Sequence, residues 1–186
     1  MAALGFWIVI YGENAPAGEV ANAKNLASQL GPFAWALPSN AFALGFLASF
    51  CHVIVLGGPL ANPYAVTFNN NCNPNYGITV NRAQDPGESW QDYVASGSIT
   101  VQGFVKNGTA YPGGKNGIIG VGTGILGVQQ VILIGGWNFQ DTCAEVQAYL
   151  ANSGPGVYQN TWTSESTDTC DANASYQQVT DPLNTA

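Results

Sequence analysis

Several side chains in this chain are spaced so that they could do chemistry. Asp141 and Glu145 fall four residues apart, on one face of a helix, and Glu13 and Glu19 flank another helix start. Paired carboxylates can act as acid and base in glycoside hydrolysis. The same charges near helix N-termini are favourable without any catalysis, and that is the reading adopted. His52 is the only histidine and sits beside Cys51 at the head of an apolar run. A hydrolytic triad needs a nucleophile on a sharp turn, and the chain has no G-x-S-x-G elbow, so His52 reads as structural. Gly122-Thr-Gly-Ile-Leu-Gly127 matches G-x-G-x-x-G. That fingerprint must follow a strand and open a helix, whereas here an apolar strand pattern follows directly, so no nucleotide site is assigned. Asp85, Glu88 and Asp92, or Glu165, Asp168 and Asp171, could offer oxygens to calcium, but neither group has EF-hand spacing. No catalytic, cofactor or metal residue is assigned, and the chain is not expected to be an enzyme.

The elements that would position these groups are clearer than the chemistry. His52-Val-Ile-Val-Leu-Gly-Gly-Pro-Leu-Ala-Asn62 and Gln130-Val-Ile-Leu-Ile-Gly-Gly-Trp-Asn-Phe-Gln-Asp141 are apolar runs stopped by a Gly pair and followed by a helix start. Phe6-Trp-Ile-Val-Ile-Tyr-Gly-Glu-Asn-Ala-Pro16 is a looser copy. Such continuous apolar runs read as parallel strands buried on both faces. Open α/β sheets bind ligands at strand C-termini, but Gly57-Gly58 and Gly135-Gly136 are read as tight turns. Helices are expected with Pro16 in the first turn and Gly31-Pro32 at the end, over 41–50 capped by Ser39 or Asn40, over 60–69, and after Asn138 in a near capping box with Asp141. A short strand is expected over 33–37. Residues 72–127 are rich in Asn, Gly and Pro, with period-two pieces such as Ser98–Val105, and read as antiparallel hairpins. The expected fold is a single Rossmann-like α/β domain with a mainly parallel sheet. Its body comprises residues 1–71 and 128–156, with a β-rich insertion over 72–127 and a polar C-terminal arm over 157–186.

The chain has 186 residues, enough for one domain with a real core, and 46% are apolar. Charged residues are 8%, against roughly 25% in an ordinary soluble domain. Four basic residues against eleven acidic ones exclude nucleic acid as an expected partner, because phosphate neutralisation needs clustered Lys and Arg. Low charge weakens the repulsion that keeps copies apart, which suits a surface that packs against itself. Five Trp, eight Tyr and eight Phe are many for this length. Trp90, Tyr111, Tyr158 and Trp162 fall in loops or the arm and are expected interface anchors. Cys51, Cys72, Cys143 and Cys170 have no CxxC spacing, and an even, spread count suits two disulfides in an oxidising location. Three pairings are possible; Cys143–Cys170 would tether the arm and leave Cys51–Cys72. The sequons at Asn107 and Asn173 lean the same way, towards an extracellular, glycosylated protein. Met1–Ile10 lacks a basic leader region, so any export signal would be removed already or lie outside this numbering. Phe42–Leu56 is apolar but too short for a transmembrane segment, and reads as a core helix running into a core strand.

Three segments resemble one family, the archaeal S-layer proteins. Ile8-Val-Ile-Tyr-Gly-Glu-Asn-Ala-Pro16, followed by the Ala-rich Val20–Ala27, is similar to that family's "GxNAP" turn and helix. Val53–Asn62 resembles its "VGGPxxN" strand and turn, and Val131–Thr142 its later "GxxxxDT" strand and helix. The resemblance covers roughly residues 5–70 and 128–151, in the family's order. It implies a structural cell-surface subunit that assembles with copies of itself and carries no catalytic residues. The chain departs from the family in being far shorter and less acidic. A small relative of this kind could build an extracellular filament, a sheet or a virion coat. The alternative from another class is a surface-bound carbohydrate-binding or hydrolytic protein using the Gly-Gly strand ends, Glu13 and Asp141.

Overall fold

The computed structural model describes residues 5–111, 116–124, 126–127, 129–152 and 154–159. Its centre is built from the three apolar runs. Strands β1 (Trp7–Tyr11), β3 (His52–Leu56) and β9 (Gln130–Gly136) are parallel neighbours, and their central residues are fully buried. The chain reaches β3 through helix α1 (Ala17–Leu30), strand β2 (Ala34–Pro38) and helix α2 (Leu44–Phe50). Strand β2 pairs in parallel with the outer side of β1. Alternation along each strand then feeds two cores. Ile8, Ile10, Val53, Val55, Val131 and Leu133 pack with Leu44 and Ala48 of α2. Val9, Ile54, Leu56, Ile132 and Ile134 pack with Ala23 and Leu26 of α1 and with Val146 of helix α5 (Phe139–Leu150). Burial on both faces explains why these strands lack the apolar/polar alternation of a half-exposed sheet.

Between β3 and β9 the chain forms helix α3 (Pro63–Thr67), a 3₁₀ turn (Asn69–Asn71), the two-residue strand β4 (Cys72–Asn73), strand β5 (Asn75–Val80) and helix α4 (Trp90–Ala95). Strands β6 (Ile99–Lys106), β7 (Thr109–Tyr111) and β8 (Gly117–Thr123) complete it. Strands β5, β6 and β7 make a separate antiparallel sheet, as the period-two pattern predicts. Strand β8, expected inside the insertion, is instead a member of the main sheet, antiparallel to β9 along its whole length. Its Ile118 and Ile119 are buried in opposite cores, which draws the segment into the body. Strand β10 (Gly156–Tyr158) pairs antiparallel with β8, so the first residues assigned to the arm also belong to the sheet. The main sheet therefore has seven strands: β10-β8-β9-β3-β1-β2 in order, with β4 beside β8.

Two helices begin later than expected. Helix α2 starts at Leu44, behind Ala43 at φ 60°, with no side-chain cap. The hydroxyl of Ser39, an expected cap, instead accepts the Glu13 N–H at 3.0 Å. Helix α3 starts at Pro63 because Asn62 is its cap, its side chain accepting the Tyr64 N–H at 3.1 Å. Among the described residues no helix is long and apolar enough to cross a membrane. The apolar stretch from Phe42 to Leu56 divides into α2 and β3, as predicted.

Candidate functional site at the open edge of the sheet

The strand C-termini, where a ligand crevice was considered, are filled by the protein's own side chains. Gly57 ends β3 at φ +94°, and a Cβ there would come within 2.7 Å of the buried Glu19 Oε1. Gly136 ends β9, and a Cβ there would meet Asp141. The Gly pairs thus do two things: Gly57 turns the chain, and the glycines leave room for carboxyl groups beneath the helix starts. Beside a cavity of about 180 Å³ against Asn14, Leu60, Ala61 and Trp90, the space between the helix starts is about 30 Å³, bordered by Pro16, Glu19, Gly58, Trp137 and Thr142. That is space for a water or two, whereas small-molecule sites are about 300–1,000 Å³.

Both carboxyls in this region are pushed upward by burial. Glu19 rises from 4.5 to about 8, and its Oε1 has no hydrogen-bond partner. Asp141 rises to about 6, with the backbone N–H groups of Trp137 and Asn138 pulling it partly back. Asn138 in turn accepts the Asp141 N–H at 2.9 Å. This is the reciprocal cap that the sequence suggests, and it leaves Asp141 engaged in holding α5. Glu145 is buried against Gly117, and Glu13 is exposed. The structure does not gather these four groups into a pair across an open cleft.

The remaining candidates also have local partners. His52 Nδ1 accepts the Gln130 N–H at 2.9 Å, and its ring lies 4.8 Å from that of Trp7, a structural role. Glu88 is bound by Arg82 through both guanidinium nitrogens at 2.9 and 2.5 Å, and Asp85 lies 3.6 Å from the same group. Arg82 also lies over the Tyr93 ring at 5.0 Å, so this acidic cluster is ordered by a cation from its own chain. Gly122 and Thr123 end β8, and the next element among the described residues is strand β9, not a helix. Asn107 is exposed in the β6–β7 turn, where its N–H donates to Asn73 Oδ1 at 3.0 Å.

The cysteine expectation needs one correction. Cys51 and Cys72 are both free, buried thiols, so they do not form the second disulfide. Each is held by a separate element, Cys51 at the end of α2 and Cys72 in β4, within one apolar core. Burial pushes the Cys51 thiol up and the Cys72 thiol up to about 12. Cys143 is not among the free thiols and accepts a hydrogen bond from Asn22 Nδ2 at 3.3 Å. Its expected partner Cys170 lies outside the described residues, as do Trp162, Asn173, Glu165, Asp168 and Asp171.

The most exposed described rings are not the four singled out in the sequence. Trp90, Tyr111 and Tyr158 are half-buried and pack against the two cores. Among the described residues the exposed rings are Phe33 (59%), Trp35 (47%), Phe42 (99%) and Phe46 (67%). All four lie on or beside β2 and α2, at one border of the main sheet. Phe6, Trp35, Leu37, Phe46, Leu47 and Phe50 line an open apolar groove of about 530 Å³ there. Trp35 and Phe33 each contact the Phe6 ring, at 5.8 and 5.7 Å, which joins them to the groove. Strand β2 is the outermost strand on this side, and among the described residues nothing pairs with its outer edge. The signal available in sequence was Trp35 alternating with Leu37; its exposure depends on β2 being last in the sheet, which the sequence does not state.

A scan against protein-family models, a search of curated proteins and a search of solved structures found no match to this chain.

Proposed function

We propose that this chain is a non-enzymatic structural subunit that assembles with copies of itself into an extracellular polymer, a surface layer or filament. The observation that carries the reading is the exposed aromatic groove on the border of the main sheet. Four rings of about 200 Å² each, exposed to the degree given above, present on the order of 500 Å² of apolar surface. That is at the upper end of the largest patch on a typical monomer, about 300–600 Å², and such patches commonly mark an interface. The low charge of the whole chain supports the same reading, because little repulsion opposes close packing of copies. The Rossmann-like body, with helices on both faces of the sheet, serves here as a rigid block, and its strand ends are closed by its own carboxyls. The resemblance to archaeal S-layer proteins supports a cell-surface location, as does the exposed sequon at Asn107. Negative-stain electron microscopy of purified protein tests the proposal. Ordered filaments or sheets are expected; protein that stays strictly monomeric at high concentration refutes it.

A further inference from the structure

We infer that the groove-bearing edge strand β2 is a self-complementary junction: two copies join by antiparallel pairing of β2 with β2 about a twofold axis through Ala36. The inference rests on the self-assembly reading and names the contact that reading needs.

The backbone of β2 shows which groups are available. The Trp7 N–H donates to Phe33 O at 3.0 Å, and the Ser39 N–H donates to Tyr11 O at 2.8 Å. Residues alternate along a strand, so Phe33, Trp35, Leu37 and Ser39 turn their backbone groups towards β1. Ala34, Ala36 and Pro38 turn theirs outward. Pro38 has no N–H to offer, so the open edge presents two donors, Ala34 and Ala36. Pairing about Ala36 sets Ala36 opposite Ala36 and Ala34 opposite Pro38. Both Ala36 N–H groups then find the facing Ala36 carbonyls, and both Ala34 N–H groups find the facing Pro38 carbonyls. All four outward donors are used, and the missing proline donor falls where only its carbonyl is needed. A register about Trp35 also uses all four donors, by setting Ala34 opposite Ala36, but it overlaps only Ala34–Ala36 of the strand, whereas the register about Ala36 overlaps all of Ala34–Pro38.

The side chains fit the same register. Opposed residues in an antiparallel pair share a face. Trp35 of each copy would therefore meet Leu37 of the other, on the groove side, and the two grooves would join over Phe46 and Phe50. No Lys, Arg, Asp or Glu lines the groove, so nothing selects a charged partner. The exposed aromatic area, on the order of 500 Å², is about two-thirds of the roughly 800 Å² per partner of a standard interface. The opposite border of the sheet is different. There β8 is covered by β4 and β10, of two and three residues, and such short strands blunt an edge. One open edge and one blunted edge favour pairing of like with like.

Cysteine cross-linking tests the register directly. Facing Ala36 residues would have Cα atoms about 5.5 Å apart, within the span of a disulfide. Facing Ala34 residues would lie about 14 Å apart at about 3.4 Å per residue, too far to bridge. Mild oxidation of Ala36→Cys should give a covalent dimer, and Ala34→Cys should not. Ala36→Pro, which removes an outward N–H and leaves the β1 ladder intact, and Phe46→Asp should each lower the assembled mass of folded protein, measured by sedimentation. If wild type assembles but Ala36→Cys does not cross-link, or both folded variants assemble as wild type does, the β2 junction is overturned and self-assembly stands. If wild type is strictly monomeric, both fall. Native mass spectrometry showing a lipid in the groove of wild-type monomer also overturns the junction.

Discussion

Glu19 is the residue whose chemistry the sequence leaves unread. As an acidic residue in the first turn of α1 it looks like a partner for the helix dipole, which would favour its charged form. The fold places it under Gly57 instead, 5% exposed, and desolvation wins: its carboxyl titrates at about 8. A folded-state value raised above 4.5 means the neutral form belongs to the fold. The stabilisation is full below pH 4.5 and is lost as pH rises towards and through 8. At about 1.4 kcal/mol for each pH unit between the two values, the loss is on the order of 5 kcal/mol. Asp141, raised to about 6, acts in the same direction over a narrower range. Denaturation midpoints should therefore fall between pH 5 and 9 in wild type, and Glu19→Gln should flatten most of that slope. An equal slope in the variant would refute the assignment. Cysteine chemistry is a second matter of placement. Cys51 and Cys72 are buried in one core, so native protein should resist a thiol reagent. Denaturation without reductant should release two reactive thiols, provided Cys143 is bonded to Cys170; four would disprove that bond.

At the scale of elements, buried amides do the joining that ion pairs do in more charged proteins. Asn62 closes the run that begins at His52, and the sequence marks it only as part of a turn. In the fold its Nδ2 donates to Ile10 O at 3.0 Å and to Leu56 O at 2.9 Å, tying β1 to β3, while its Oδ1 caps α3. Asn69 likewise accepts the Tyr76 N–H and donates to the Tyr76 carbonyl, both at 2.8 Å, fastening β5 of the second sheet to the 3₁₀ turn. Asn62→Ala would take a donor from two buried carbonyls and the cap from a helix start, at about 1–3 kcal/mol for a buried group left unsatisfied. We expect a loss of at least about 2 kcal/mol in urea denaturation, and Asn62→Asp to restore the cap but not the β1–β3 tie. The apolar runs made β1, β3 and β9 legible because burial on both faces leaves a continuous pattern. Strand β8 was misread because its glycines look like a loop. Gly120 and Gly122 are small since Pro74 and Asn71 backbone oxygens pass directly over them. A close backbone approach and a flexible loop have the same sequence signature.

At the scale of the whole molecule, which surface is left uncovered is a property of strand order. The parallel α/β class follows from three repeated runs, but no run states that β2 ends the sheet. Trp35 and Leu37 would be core in any order that placed a strand beyond them. The same is true of Trp90 and Tyr111, expected as anchors in loops and instead packed inward by the second sheet. The uncovered surface is apolar, and the chain carries net charge −7 from few charges, so two energies compete on association. Repulsion between like-charged copies is screened over about 10 Å at 0.1 M salt, while apolar burial is strengthened by excluded salts such as sulfate. Both changes act in one direction. Assembly measured by light scattering should increase from low to moderate sodium chloride and increase further in ammonium sulfate. An interface held by ion pairs would do the opposite, dissociating as chloride rises, and that outcome would refute an apolar junction at β2.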